Sequence, residues 1–145
     1  MTFTSVERRW ITATMEAFAH EGAPGLSPRP GEVDWLGTVE AMYLASNPRG
    51  RLGVRLGVLF AGLAPLWTLT ALCTLPGLPL GRRTELLSKL LYHRWFAVRG
   101  LVLLLKLAAS FALLGVRAVR DRSGYDRAAP QVRKRHLPVL TRAVA

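Results

Sequence analysis

The sequence has little of the chemistry on which enzymes and metal proteins depend. Its one cysteine, Cys73, permits no intramolecular disulfide. The three histidines, His20, His93 and His136, lie in separate segments without a cysteine or carboxylate at ligand spacing, so no metal site is predicted. No window alternates apolar and polar residues long enough to predict a strand, and no glycine-rich phosphate loop is present. We therefore expect no catalytic, cofactor-binding or metal-binding residues.

Acidic residues are scarce in most of the chain. Residues 1–45 carry six acids and three arginines, whereas residues 46–145 carry 17 bases but only Glu85, Asp121 and Asp126 as acids. The net charge of the whole chain is +11. This asymmetry predicts an anionic partner for the second part of the chain, with anionic lipid, an acidic protein surface and nucleic acid as the alternatives. Nucleic acid is the least favoured, because the sequence shows no helix-turn-helix, zinc-finger or aromatic strand motif.

Charge is absent from Val58–Leu80, a run of 23 residues. A transmembrane helix needs about 20 apolar residues, but two prolines near the end of this run predict that the helix stops by Leu75. A second apolar run, Gly100–Val116, contains Lys106, and a lysine at the centre of a span costs about 2.5–3.5 kcal/mol. Two alternatives stay open: an inserted hairpin of Val58–Leu75 and Gly100–Val116, or two strongly apolar helices within a bundle.

Periodicity and capping residues predict an all-α fold, a single helical bundle of about five helices. Thr4 and Glu7 form a capping box that starts a first helix from Ser5 to His20, and Asp34 is a good N-cap for a second helix. Ser123-Gly124 ends the last one. The remaining predicted helices cover roughly residues 48–75, 82–91 and 96–119. We expect residues 127–145, which are basic and proline-marked, to form a flexible C-terminal tail.

Helical spacing also predicts which apolar side chains share the core. All four tryptophans are interpreted as core residues. Three arginines lie in the first turns of the third helix, where cations are unfavourable, and this predicts a role other than helix stability for Arg49, Arg51 and Arg55. The residues predicted to form the common core are Trp10, Leu56, Leu63, Leu87, Leu103 and Leu107.

Segments at both ends of the chain resemble a known family. The opening Phe3–Trp10 resembles the F-T-x-x-E-R-R-x-L start of helical accessory domains of the gluconate 2-dehydrogenase small-subunit type, which accompany flavin-dependent oxidoreductases. A similar helical segment precedes the flavin domain in some glucose-methanol-choline oxidoreductases. The run from Arg83 through Arg99 to Lys106 is similar to an R…L…L…R…f…LK pattern of that domain. Ser123-Gly124-Tyr125-Asp126 resembles the I-G-Y-D motif that closes it.

The resemblance implies a helical accessory domain over residues 1–126 and a non-catalytic subunit without a cofactor of its own. Such a subunit binds, stabilises or membrane-docks a flavin-dependent oxidoreductase, here expected as a separate chain. The alternative is a small integral or peripheral membrane protein built on the apolar hairpin. Residues expected to touch the partner or an anionic membrane surface are Arg82, Arg83, Arg94, Arg99 and Lys106, and the family-like closing motif is Gly124, Tyr125 and Asp126.

The expected location is the cytoplasm or the inner-membrane surface. The pair Arg8-Arg9 is typical of twin-arginine export signals. However, Thr12, Thr14 and Glu16 interrupt the apolar stretch that a cleavable signal peptide requires. We therefore expect no cleavable signal.

Overall fold

The computed structural model describes residues 3–20 and 26–124. These ranges contain seven α-helices, a single 3-10 turn at Leu75–Gly77 and no strand, which confirms the all-α class. In chain order the helices are α1 Ser5–His20, α2 Trp35–Ala45, α3 Pro48–Gly62, α4 Ala64–Trp67, α5 Leu80–Leu91, α6 Phe96–Gly115 and α7 Arg117–Ser123.

Local sequence explains where the first three helices begin. The Glu7 amide donates to Thr4 Oγ1 at 3.2 Å while the Thr4 amide donates to Glu7 Oε2 at 2.7 Å, so the predicted capping box is confirmed. Asp34 Oδ1 accepts from a first-turn amide of α2 at 2.8 Å, and Asn47 Oδ1 does the same for α3 at 2.7 Å. Each side chain satisfies an amide that has no partner within its own helix.

The third predicted helix is wrong in its extent. The run Val58–Leu75 is not one helix, because α3 ends at Gly62 and the short helix α4 ends at Trp67. Pro65 lies in the first turn of α4, where its missing amide costs nothing, whereas in a continuing helix its ring would clash with the carbonyl of Ala61. The chain therefore turns at this proline.

A second break divides the last predicted helix, and together these breaks give seven helices instead of about five. Val116 is extended, with φ −86° and ψ 115°, and the Arg120 guanidinium donates to the Leu114 carbonyl at 3.1 Å. The helix α7 ends as predicted at Gly124, whose φ of +68° is a left-handed conformation that glycine adopts without strain. Tyr125, Asp126 and the predicted tail lie outside the described residues.

The helix α1 occupies the centre of the bundle. It packs against α2, α3, α5, α6 and the 3-10 turn, and nine of its 16 residues are buried. Ile11 and Met15 are fully buried. The buried Thr14 hydroxyl donates to the Trp10 carbonyl at 2.7 Å, so this polar group is satisfied within the helix.

The predicted core is wrong for four of its six residues. Trp10 and Leu87 are buried, whereas four leucines are between 38 % and 47 % exposed. These four are Leu56, Leu63, Leu103 and Leu107. Smaller side chains occupy the inner faces of the same helices, namely Val54, Val58 and Ala61 of α3 and Val98, Val102, Ala108, Ala109 and Ala112 of α6, together with Leu105.

Close approach of α3 and α6 explains this reversal. A Cβ added at Gly57 would lie 3.4 Å from the Leu101 carbonyl oxygen, and one added at Gly53 would lie 3.7 Å from the Leu104 side chain. Gly53 and Gly57 form a G-x-x-x-G pair on the side of α3 that faces α6. Because small residues let two helices approach closely, Leu104 and Leu105 of α6 pack onto these glycines, and the exposed leucines of both helices lie outside the contact.

Candidate functional site

Part of the charge asymmetry is neutralised within the molecule. Arg55 Nε lies 2.9 Å from Glu7 Oε1, and Arg122 Nη1 lies 2.7 Å from Glu32 Oε1. Hydrogen bonds from these arginines lower the pKa of both carboxyl groups from 4.5 to about 2. The acidic first part of the chain is thus itself an anionic partner for basic residues of the second part, and Arg55 has a structural role.

Arg51 has a role outside its own helix. Its guanidinium donates to the carbonyl oxygens of Ser46 at 3.0 Å, Leu44 at 2.9 Å and Tyr43 at 3.2 Å. Two of these carbonyls belong to the last turn of α2 and the third to its C-cap residue, where backbone acceptors lack partners and cations are favoured. Arg51, a residue of α3, therefore caps the C-terminal end of α2.

The predicted contact residues fall into two groups. Arg82 and Arg83 lie in the first turn of α5, whereas Arg94 and Arg99 follow its other end, and the 12 residues of α5 span about 18 Å at 1.5 Å per residue. Arg83 is committed internally, because it donates to the carbonyls of Leu78 at 2.6 Å and Pro76 at 2.8 Å. The contact of these four arginines with a partner or a membrane stays a prediction.

Arg94 and Arg99 instead lie beside a group of aromatic rings at the start of α6. The Trp67 ring is 4.6 Å from that of Phe60 and 6.4 Å from that of His93, which is in turn 5.8 Å from Trp95. The Trp67 indole donates to the Phe60 carbonyl at 3.2 Å. His93 Nδ1 accepts from the Trp95 amide at 3.2 Å. These contacts connect the end of α4 to the α5–α6 loop.

This corner of the molecule is both exposed and apolar. Trp95 is 62 % and Phe96 76 % exposed, so the interpretation of Trp95 as a core residue is wrong, and Trp67 is exposed as well. A pocket of about 310 Å³ opens there, which we call the aromatic groove; its lining is Phe60, Trp67, His93, Arg94, Trp95 and Val98.

Both arginines of this corner stack on neighbouring rings. The Arg94 guanidinium carbon lies 5.9 Å from the Trp95 ring centre, and that of Arg99 lies 5.7 Å from the Phe96 ring centre. Such contacts are attractive by about 0.5–1 kcal/mol at exposed sites. Within the described part of the chain neither arginine pairs with a carboxylate, so both keep their charge available to an external anion.

A second apolar surface runs along α3 and α6. We call it the leucine face; its exposed members are Leu52, Leu56 and Leu59 of α3, Leu63 directly after α3, and Leu103, Leu107 and Phe111 of α6. The two helices that carry these rows are in contact, because the Leu104 side chain of α6 lies against Gly53 of α3. An exposed apolar surface of more than a few hundred Å² is typical of a contact with a partner or a membrane.

Among the described helices, α6 is the one that is long and apolar enough to cross a membrane. The core helix of a soluble protein can pass the same test. Only 39 % of the residues in its most apolar stretch are buried inside the molecule. Lys106, predicted to contact a partner or membrane, is half-buried on this helix.

No cluster of three or more histidine, cysteine, aspartate or glutamate side chains able to hold a metal ion occurs in residues 3–20 and 26–124. Compared with known proteins, the chain matches no family model, no curated protein and no solved structure at a significant level. Its resemblance to the gluconate 2-dehydrogenase accessory domains stays a prediction.

Sequence reasoning missed most of the aromatic groove and half of the leucine face. A usable signal is present: residues 41–84 and 86–120 contain no acid at all, although they carry many arginines. Solvated surfaces of helices ordinarily mix charges of both signs. A long segment with arginine and leucine but no acid therefore favours a surface that faces something other than water.

Proposed function

We propose that this protein is a non-catalytic, monotopic membrane protein that places its leucine face in the interfacial layer of an anionic membrane. The observation that carries the proposal is the inverted arrangement of α3 and α6, in which valine, alanine and glycine, together with Leu105 and Leu113, face the bundle, whereas five other leucines are exposed. In a lipid environment helices pack through small residues, and leucine is as compatible with lipid tails as with a protein core. Water does not favour such an exposed surface.

Contact through one face, and not through a spanning helix, is supported by the surroundings of α6. Its inner side packs against α1, α2, α3 and α5. Those helices carry charged groups such as Arg8, Glu16 and Arg55. Lipid on all sides of α6 would draw these charges into the hydrocarbon, at a cost of several kcal/mol. An in-plane arrangement leaves them in water.

Charge supports the same orientation. The helices α3 and α6 contain five basic residues and no acidic one. Each exposed basic residue near an anionic membrane contributes about 1 kcal/mol of attraction. Long side chains at the edge of the leucine face, among them Arg99 and Lys106, can extend their charged ends to the headgroups while their stems lie on apolar surface.

The first experiment measures flotation of the purified chain with vesicles. A triple variant Leu103→Ser, Leu107→Ser and Phe111→Ser removes apolar side chains that each contribute about 1 kcal/mol when half buried in lipid, so partitioning should fall about 100-fold. The control is Val6→Ser with Leu80→Ser, which removes exposed apolar side chains of α1 and α5. Equal partitioning of the triple variant and the parent protein would contradict the proposal.

A second experiment separates the in-plane and spanning arrangements. In a Cys73→Ser background, single cysteines at Phe96 and Gly115 mark the two ends of α6. If the helix lies in the plane, a membrane-impermeant thiol reagent added outside sealed vesicles labels both positions. Labelling of one end alone would indicate a spanning helix and overturn the monotopic arrangement.

A second proposal follows from the N-terminal resemblance: the chain is an accessory subunit that brings a separate flavin-dependent oxidoreductase to the membrane. What supports it is that Phe3, Thr4 and Glu7, three residues of the family-like opening, are used together to start the central helix α1. Stoichiometric co-purification with a flavin-containing chain, retained in the triple serine variant, would support this role. Absence of any such chain from native pull-downs would count against it.

A further inference from the structure

We infer that the aromatic groove binds one anionic phospholipid, with an acyl chain against Phe60, Trp67 and Val98 and the phosphate on Arg94 and Arg99. The inference deepens the proposed function, because the membrane contacted by the leucine face supplies the lipid. It adds a defined site and a chemical selectivity that general membrane contact does not require.

The lower part of the groove suits an acyl chain. Its lining is aromatic and aliphatic, and Val98 at its floor is buried. The ring centres of Phe60 and Trp67 lie 4.6 Å apart, and the Trp67 indole N–H already donates to the Phe60 carbonyl. The indole donor is therefore satisfied, and what remains for a ligand is apolar ring surface.

The rim of the groove suits a phosphate. Arginine guanidinium groups bind phosphate oxygens through paired N–H donors. Arg94 belongs to the lining itself, and Arg99 stacks on Phe96, directly after Trp95 in the chain. Stacking restricts the motion of each guanidinium group, so less entropy is lost when an anion binds.

The combination selects an anionic lipid over simpler ligands. A zwitterionic phospholipid brings an ammonium group beside its phosphate, and two guanidinium groups repel that second positive charge. Inorganic phosphate leaves the apolar surface of Phe60 and Trp67 exposed to water. A phospholipid with a net negative charge places its phosphate on the arginines and its acyl chain on the apolar lining. These two groups are neighbours in the lipid, as the arginines and the lining are in the groove.

The first test uses vesicles of zwitterionic lipid with or without an equimolar anionic phospholipid. The double variant Arg94→Gln and Arg99→Gln should reduce the preference for anionic vesicles at least about tenfold. The double variant Arg9→Gln and Arg29→Gln removes the same net charge from exposed positions of α1 and of the loop before α2, and it should change the preference no more than about twofold. Equal effects of the two variants would show that total charge alone sets the preference and would overturn the site.

The second test locates the acyl chain by fluorescence. Anionic phospholipid with brominated acyl chains should quench Trp67 and Trp95, and the quenched component should shrink in Trp67→Phe and again in Trp95→Phe. The Trp10 emission should be unaffected because that ring is buried against α3. Quenching that is independent of both substitutions would contradict the acyl position.

A third test distinguishes this inference from the proposed function. Short-chain anionic phospholipid, supplied as monomers without a bilayer, should bind the parent protein and not the Arg94→Gln, Arg99→Gln variant. Binding of the monomers without vesicle flotation would support the groove while contradicting the leucine face. Flotation without monomer binding would overturn the groove alone. Equal binding of inorganic phosphate would show an anion site without lipid recognition, and would overturn the inference as well.

Discussion

The helix α1 is more buried than α6, although its composition is the more charged of the two. The helix α1 contains two acids and two arginines, yet it lies at the centre and buries nine of its 16 residues. The helix α6 contains one arginine and one lysine among its 20 residues and buries only seven of them. The comparison shows that a helix is buried in this fold because neighbouring helices pack on several of its sides, as they do around α1. The apolar content of a helix does not decide its burial.

The charged groups of α1 make its central position possible. Glu7 is only 6 % exposed, but Arg55 and the Thr4 amide satisfy it, and Arg8 reaches Glu40 of α2 at 3.1 Å. Beyond this end the helix presents large apolar side chains to its neighbours, among them Trp10, Met15 and Phe18. The helix α6 is apolar around most of its circumference, but only one of its sides packs against the bundle.

The largest expected effect compares two leucines of α6 that are two residues apart. Leu105 is 1 % exposed and Leu103 is 47 % exposed. The substitution Leu105→Ala should lower the free energy of unfolding by about 2–5 kcal/mol because it leaves a cavity, whereas Leu103→Ala should change it by less than about 0.5 kcal/mol. Urea unfolding in a mild detergent, followed by circular dichroism, measures both. Equal effects would mean that the two sides of α6 are not distinct.

The next comparison uses two glycines of the two apolar helices. A Cβ at Gly62 would overlap the ring of Trp10, whereas a Cβ at Gly100 would meet nothing within 4 Å. We expect Gly62→Ala to cost about 1–3 kcal/mol through overpacking. Gly100→Ala should instead stabilise the helix by about 0.5–1 kcal/mol. Thermal unfolding midpoints that shift in the same direction would contradict the close approach of α1 and α3.

The pairing of Glu7 with Arg55 should appear in the pH dependence of stability. The pKa of Glu7 is about 2 in the folded protein, compared with 4.5 for an unpaired glutamate. Its contribution to the free energy of unfolding is therefore fully present above pH 4.5 and is lost as the pH falls towards 2. Glu7→Gln should cost about 1–2 kcal/mol at neutral pH, and its difference from the parent should vanish by about pH 2. The exposed pair of Glu85 and Lys89 supplies the control, since Glu85→Gln should leave the stability almost unchanged.

The smallest expected effect concerns Arg51, whose guanidinium donates to three carbonyls at the end of α2. Arg51→Gln should lower stability by about 0.5–1 kcal/mol through the lost contact with the negative end of the helix. Arg49, one half-turn earlier and exposed, is the matched control and should change stability by less than about 0.5 kcal/mol. Hydrogen exchange at the last turn of α2 gives a local readout. Unchanged protection in the Arg51 variant would show that the contact is not stabilising.

Sequence reasoning was most successful where a few neighbouring residues decide the outcome. The capping box at Thr4 and Glu7, the N-cap at Asp34 and the helix stop at Gly124 all lie as predicted. Each depends on hydrogen bonds or backbone torsions within one turn. The break at Pro65 was open to the same reasoning, because a proline inside a helical run either bends the helix or starts a new one.

It was least successful for the orientation of the apolar helices. A helix such as α6 is apolar around most of its circumference, so helical spacing alone does not choose between the row of Leu103 and Leu107 and the row of Val98, Val102 and Leu105. The same spacing wrongly assigned Trp95 to the core. Nor does sequence bring Phe60, Trp67 and His93 together, since these residues come from separate helices and loops.

The sequence by itself determined the all-α class, the starts of the first three helices and the charge of the segments that carry no acid, because these properties depend on residues close together in the chain. Only the tertiary structure decided which faces of α3 and α6 turn outward, since that choice rests on the contact of Gly53 and Gly57 with α6. A glycine in one helix and a carbonyl in another come together only after the chain has folded. Their close packing placed the small residues inside and left Leu56, Leu103 and Leu107 on the outer surface.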